Sequence, residues 1–323
     1  YLANLQVYRD SLRYREQVDL WLGQLTRILN DLKRHIYTPE LLEIDIAYNA
    51  YKAGNMDFRE YLGFLIETAA EEGVPVGGFP NIELLSQAME IEKSIDFEKA
   101  EKDRNILIDE LKHRMSQNEI KELISKSVNF RTKRISRNAF YGYLLRKARS
   151  RGIDVERFPA FSGYLRYVTN YESVDRSLVM KEIGLIEKAV KEPLFTSDAQ
   201  RELDVLSKNL ALLKNIFRIT LSRADYMYYL ENTGSFGTDN FIGFIEKEAP
   251  QYRITARPDG DISEMDRFLS EVTGFYDYSF RRDEAFMKNM RFDEVAGGAR
   301  AAILMTGGFH TGQNGCEQGR RRK

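Results

Sequence analysis

Two octapeptides, GVPVGGFP at Gly73–Pro80 and GIDVERFP at Gly152–Pro159, share Gly, Val, Phe and Pro at one offset of 79 residues. A spacing held over that distance points to tandem copies of one supersecondary unit, each burying its apolar face against a neighbour. The match extends in both directions. EQVD (Glu16–Asp19), KSID (Lys93–Asp96) and ESVD (Glu172–Asp175) precede LKRHIYTPEL, LKHRMSQNEI and VKEPLFTSDAQREL. FREYLGFL (Phe58–Leu65), SRNAFYGYLL (Ser136–Leu145) and SRADYMYYL (Ser222–Leu230) come next. We read three degenerate units, 1–78, 79–157 and 158–254, the third with an added glycine loop and an extra helix. A separate C-terminal segment, 255–323, follows.

The fold class expected is mainly α. In each unit a long first helix carries the Val-Asp or Ile-Asp pair. A second helix starts after Thr38, Ser116 or Thr196, whose hydroxyls can accept the orphan N–H groups of a first turn. Pro39 suits the first helical position. Ser116 with Glu119, and Ser222 with Asp225, have capping-box spacing. Gly73 and Gly152 suit the left-handed residue that ends a helix. The third helix carries Tyr61, Phe64 and Leu65, then Phe140, Tyr143 and Leu144, then Tyr226, Tyr229 and Leu230. Spacings of three and four put each set on one face, as core between stacked units. Arg131–Arg151 holds eight basic residues and no acidic ones, with aromatics interleaved. Those aromatics match core positions in the other units, so the charges read as a solvated face and nucleic-acid binding is not expected.

Composition agrees with a soluble helical chain. Of 323 residues, 43% are apolar and 30% charged, and the net charge of −1 offers no field toward nucleic acid or acidic lipid. The seven prolines suit long helices. No apolar run is long enough to span a membrane, and no signal peptide is legible. The single cysteine, Cys316, fits a reducing compartment, so a cytoplasmic location is expected. The chain opens on Tyr1 and ends on CEQGRRRK, and we expect it to be a fragment of a longer protein.

One chemical lead lies near the end. RPDGD (Arg257–Asp261) is a turn signal, and Asp261 with Glu264 can open a helix in which Gly274 offers a point for a break. Ala301–Thr306 then reads as a short buried strand delivering Gly307, Gly308, Phe309 and His310 into a tight turn. Histidine there suits acid/base work or metal ligation. Arg282 and Asn289 share a helical face with Phe286, and Asp283 is adjacent; an arginine and a carboxylate can bind an anion or orient an imidazole. His35 and His113 sit among charges and read as solvated. No CxxC, HExxH, P-loop, GxGxxG or GxSxG motif is present.

RRDEAFMKNM followed by AAILMTGGFHTG resembles the end of the erythromycin esterase-like, ChaN-like and TraB-like group, which carries an Arg-Asp…Asn helix, a strand and a Gly-x-x-His turn. The matching positions are Arg282, Asp283, Asn289, Gly307 and His310. The resemblance implies a hydrolase or a metal-dependent protease, or haem or iron binding, with His310, Asp283 and Arg282 catalytic, Gly307, Gly308 and Asn289 binding, and His310 holding a divalent metal. The group's first Glu/His motif, on an early strand, has no counterpart here, so the site is incomplete within these residues. More loosely, the repeats resemble helical regions of large bacterial proteins with a similar Gly-Gly-Phe-His-Thr ending. Two readings follow: a fragment of a bacterial hydrolase-like enzyme using His310, or a non-enzymatic helical scaffold with a protein partner on its repeat surface.

Overall fold

The computed structural model describes residues 2–255 and 257–289. These residues are mainly α-helical and contain no strand. The expected strand Ala301–Thr306 lies outside them. Helices α1 (Leu2–Ile36), α2 (Pro39–Lys52), α3 (Phe58–Glu71), α4 (Pro80–Ser94), α5 (Phe97–Arg114), α6 (Gln117–Arg131) and α7 (Arg137–Ser150) are followed by α8 (Pro159–Ser173) and α9 (Arg176–Lys191). Then come α10 (Asp198–Phe217), α11 (Arg223–Glu231), α12 (Thr238–Glu248) and α13 (Glu264–Asn289). The chain forms two compact units, Glu43–Leu194, and Tyr1–Leu42 with Phe195–Lys323.

Within Glu43–Leu194 the succession α3, 3-10 turn, α4, α5 recurs as α7, 3-10 turn, α8, α9. Phe58 and Arg137, Val76 and Val155, Pro80 and Pro159, and Phe97 and Arg176 begin the matched elements, each pair 79 residues apart. Gly73 and Gly152, which follow α3 and α7, both take φ of +67°, a conformation that costs glycine nothing and any β-carbon strain. The Phe-Pro that follows starts the next helix, with proline where the missing N–H is no loss.

The remaining N–H groups at those two helix starts are satisfied by carboxylates from other helices. Buried Glu182 of α9 accepts from Asn81 N and Ile82 N of α4 at 2.8 and 3.0 Å, and from Asn81 Nδ2 at 2.6 Å. Buried Asp103 of α5 accepts from Ala160 N and Phe161 N of α8 at 3.1 and 3.3 Å. Asp103 and Glu182 are themselves 79 residues apart. The two halves therefore exchange caps: the helix after α8 serves α4, and the helix after α4 serves α8. Two cores follow the same exchange. Ile44, Tyr61, Leu65 and Ile82 bury against Ile183, Ile186 and Val190 of α9, while Phe140, Leu144 and Phe161 bury against Leu107 and Leu111 of α5.

In the other unit, α1, α10, α12 and α13 share a core that includes Leu25, Leu213, Phe241 and Val272. Tyr14 stacks on Phe268 with ring centroids 4.1 Å apart. Asn4 Nδ2 donates to Ser279 Oγ at 3.1 Å. Tyr276 donates to the carbonyls of Asn215 and Ile216, both at 3.3 Å. Asp266 of α13 accepts from Thr238 N and Oγ1 at 3.0 and 2.7 Å and so caps α12.

Several local expectations hold. Ser116 and Glu119 form a capping box, Ser222 caps α11 through Asp225 N, and Thr38 accepts from Leu41 N. Others are corrected. Asp96 and Asp175 do not lie inside a helix: each carboxylate caps the helix that follows it, α5 and α9. At Val18–Asp19 the helix continues, because Val18, Trp21, Leu22 and Leu25 extend one buried stripe along α1. Ser197, not Thr196, caps α10, and the Thr196 N–H turns instead to Gln200. Asp261 accepts from Ser263 rather than boxing Glu264. α13 runs through Gly274 without a break. The aromatic sets are core apart from Leu230, which is exposed, and Phe64, which is half-buried. Lys147 and Arg151 of the basic stretch pair with Glu119 on α6.

Two outcomes follow. Glu182→Ala should lower unfolding free energy by about 2–4 kcal/mol in urea titration, and Asp103→Ala, with longer bonds, by about 1–2 kcal/mol. Unchanged midpoints for both would contradict the capping role. Burial pushes the Tyr14 and Tyr143 hydroxyls up to about 12, and burial also raises Tyr61, Tyr226 and Tyr276. A phenol harder to ionise when folded than its ordinary value of about 10 leaves stability intact below that pH and erodes it as pH rises beyond. The urea midpoint should thus fall above about pH 10 with phenolate absorbance appearing at unfolding; normal titration of every tyrosine in the folded protein would refute it.

Candidate functional site

Helix α8 carries Tyr164, Tyr167 and Tyr171 on one face, at i, i+3 and i+7. Their rings stack in sequence, with centroids 6.2 and 6.1 Å apart. Phe97, at the start of α5, meets Tyr164 and Tyr167 edge-on at 5.9 and 6.4 Å. One side of this ladder borders a cavity of about 410 Å³ between α3, α4, α8 and α9. Its floor is apolar and buried: Leu62, Ala88 and Val179. Met89 and Met180 add soft, adaptable walls. Tyr167, Tyr171, Val174 and Arg176 also border a second hollow of about 810 Å³, which runs on to Ser136, Arg137 and Asn138 at the start of α7. The two hollows adjoin along this wall, the first mainly apolar and the second mainly polar, and are taken together as one groove.

Its charges are unequally spent. Arg59 of α3 bonds Glu92 of α4 at 2.6 Å. Glu172 accepts from the N–H groups of Arg137 and Asn138, both at 3.1 Å, so that carboxylate caps α7. The exposed Arg176 guanidinium lies 5.8 Å from the Tyr171 ring centroid and meets no carboxylate among the described residues. Burial, then the Glu92 charge, raises the Tyr167 hydroxyl, which stays a neutral donor or acceptor.

The 79-residue offset supplies an internal comparison. At the matching place between α5 and α8 the cavity is about 210 Å³, lined by Phe97, Ala100, Glu101, Arg104, Phe161 and Tyr164. Leu62, Leu85, Ala88 and Ile183 in one half stand opposite Tyr141, Tyr164, Tyr167 and Arg104 in the other. Other matched positions, Arg137, Asn138, Tyr167, Val168 and Tyr171, border the hollow of about 810 Å³, so in this half the corresponding space is divided between a small cavity and a polar hollow.

Of the residues singled out from sequence, Arg282, Asp283 and Asn289 lie on α13, where Arg282 is half-buried. Gly307, Gly308 and His310 lie outside the described residues, as does any metal His310 would hold. Among the described residues no cluster of His, Cys, Asp and Glu has metal-site geometry. His35 and His113 are exposed, His35 stacking on Tyr252. No described helix is long and apolar enough to cross a membrane. Sequence reasoning missed the α8 ladder, although PAFSGYLRYVTNYES shows its spacing; comparing the two halves position by position would have flagged Ala88 against Tyr167. Comparison with known protein families, characterised proteins and solved structures finds no match.

An apolar dye tests the cavity. Native protein should enhance anilinonaphthalene sulfonate fluorescence, Ala88→Tyr should abolish most of that signal, and Tyr164→Leu should add a second dye site. Equal fluorescence from all three proteins would show that the groove is not what the dye enters.

Proposed function

We propose that the chain is a non-enzymatic, all-helical interaction module of tandem units, 1–78, 79–157 and 158–254, whose groove between α3, α4, α8 and α9 receives a segment of a partner protein. The third unit departs from strict spacing: Tyr226 follows Phe140 by 86 residues, against 79 between Tyr61 and Phe140. Beyond 255 we read an appended helix–strand element that carries Gly307, Gly308 and His310.

The observation that supports this reading is the groove itself. A pocket of this size suits one or two large apolar side chains. Its continuation past Tyr171 is lined by a hydroxyl, an amide and guanidinium groups, which match a peptide main chain better than an alkyl chain. Tyrosine and arginine at the centre of a concave surface are the residue types that anchor protein interfaces. The hydrolase reading rests on His310 with Arg282 and Asp283, and no geometry among the described residues favours it.

Selection of a random peptide library displayed on phage tests the proposal. Clones enriched on the native protein should lose binding to Ala88→Tyr, which fills the cavity, and to Tyr171→Ala, which removes an exposed wall without touching the core. Absence of enrichment, or enrichment that ignores both changes, would overturn it.

A further inference from the structure

The groove's charge balance identifies the kind of segment it takes. We infer that the partner segment is acidic as well as apolar: an aromatic or aliphatic anchor fills the cavity over Leu62 and Ala88, and an Asp or Glu carboxylate pairs with Arg176. This rests on the interaction reading above and deepens it.

From α3 and α4, Arg59 and Glu92 neutralise each other at 2.6 Å. At the start of α7, Glu172 is committed to two backbone N–H groups at 3.1 Å, and the Arg137 guanidinium is engaged with the Tyr164 hydroxyl. Before α9, Asp175 is held by Ser177 N and Oγ at 2.9 and 2.6 Å as that helix's cap. Arg176 remains, at the junction of the apolar and polar hollows and against the Tyr171 ring. The balance of the bordering residues is three arginines against two carboxylates, Glu92 and Glu172, both already bonded. A guanidinium stacked on an aromatic ring presents a planar fork to a carboxylate, and desolvation by an apolar anchor strengthens that pair.

The matching site supports the same conclusion by contrast. Met180 corresponds to Glu101, 79 residues away, and Arg176 to Phe97. In that half the acidic side chain belongs to the protein itself: Glu101 bonds Arg104 at 2.7 Å beneath the tyrosine ladder. The open groove lacks this internal carboxylate and keeps an arginine, so a carboxylate supplied from outside completes the arrangement.

Peptide selection on the full chain tests this separately from the interaction reading. Clones on the native protein should combine an aromatic or Leu anchor with a nearby Asp or Glu. Arg176→Glu, at an exposed position, should weaken a selected acidic peptide by about tenfold or more in fluorescence anisotropy and should enrich Lys- or Arg-bearing clones instead. Met180→Glu should weaken acidic clones in the same direction while leaving the melting temperature unchanged. Clones sensitive to Ala88→Tyr but neutral or basic, or indifferent to Arg176→Glu, would overturn the acidic assignment and leave the interaction reading standing. Binding of phosphatidylserine vesicles that Tyr171→Ala abolishes, with no peptide enriched, would overturn both.

Discussion

Helices α4, α7, α8 and α12 each begin on a carboxylate from a different helix. A helix start leaves N–H groups that nothing within the helix can accept, and burying them unmet costs more than most single contacts gain. Proline at the first position of α4 and α8 removes one of these donors, and Glu182 and Asp103 take the next two. The negative charge also meets the positive end of the helix dipole. Such a bond fixes a helix along its axis, which greasy side chains alone do poorly. With α4 registered on α9 and α8 on α5, the tyrosine face of α8 comes to lie where the groove forms.

The two matched halves show how one backbone succession carries two different side-chain layers. Backbone succession, left-handed glycines and inter-helix caps are common to both. The difference lies in the side chains: Leu62, Leu85 and Ala88 line an apolar cavity in one half, and tyrosines stand at the matching positions of the other. Two halves can share their capping devices and still differ in the layer of side chains packed between their helices.

Much of the fold was legible from local chemistry. The glycines at 73 and 152 and the caps at Thr38, Ser116 and Ser222 all depend on residues close in sequence, and these expectations match the structure. The Asp96 and Asp175 positions misled because an aspartate inside an apolar stripe and an aspartate capping the next helix look alike without knowing which chain direction continues. The inter-helix caps were invisible, since a buried glutamate on one helix face carries no label for its donor a hundred residues away. The groove was half legible: the tyrosine spacing is plain, but the role of Ala88 emerges only when the halves are laid over one another. The residues that drew chemical attention first, Gly307 to His310, lie outside the described structure.

The exchange of caps also sets an order on synthesis. Asp103 and Ala160 are 57 residues apart, whereas Asn81 and Glu182 are separated by 101. As the chain leaves the ribosome, α5 to α8 can close on themselves once α8 has emerged, over the shorter loop. The start of α4 must wait with its donors in water until α9 arrives. The cap on α4 is therefore the last of the two to form, and the cavity between α3, α4, α8 and α9 is not walled in until α9 has been made.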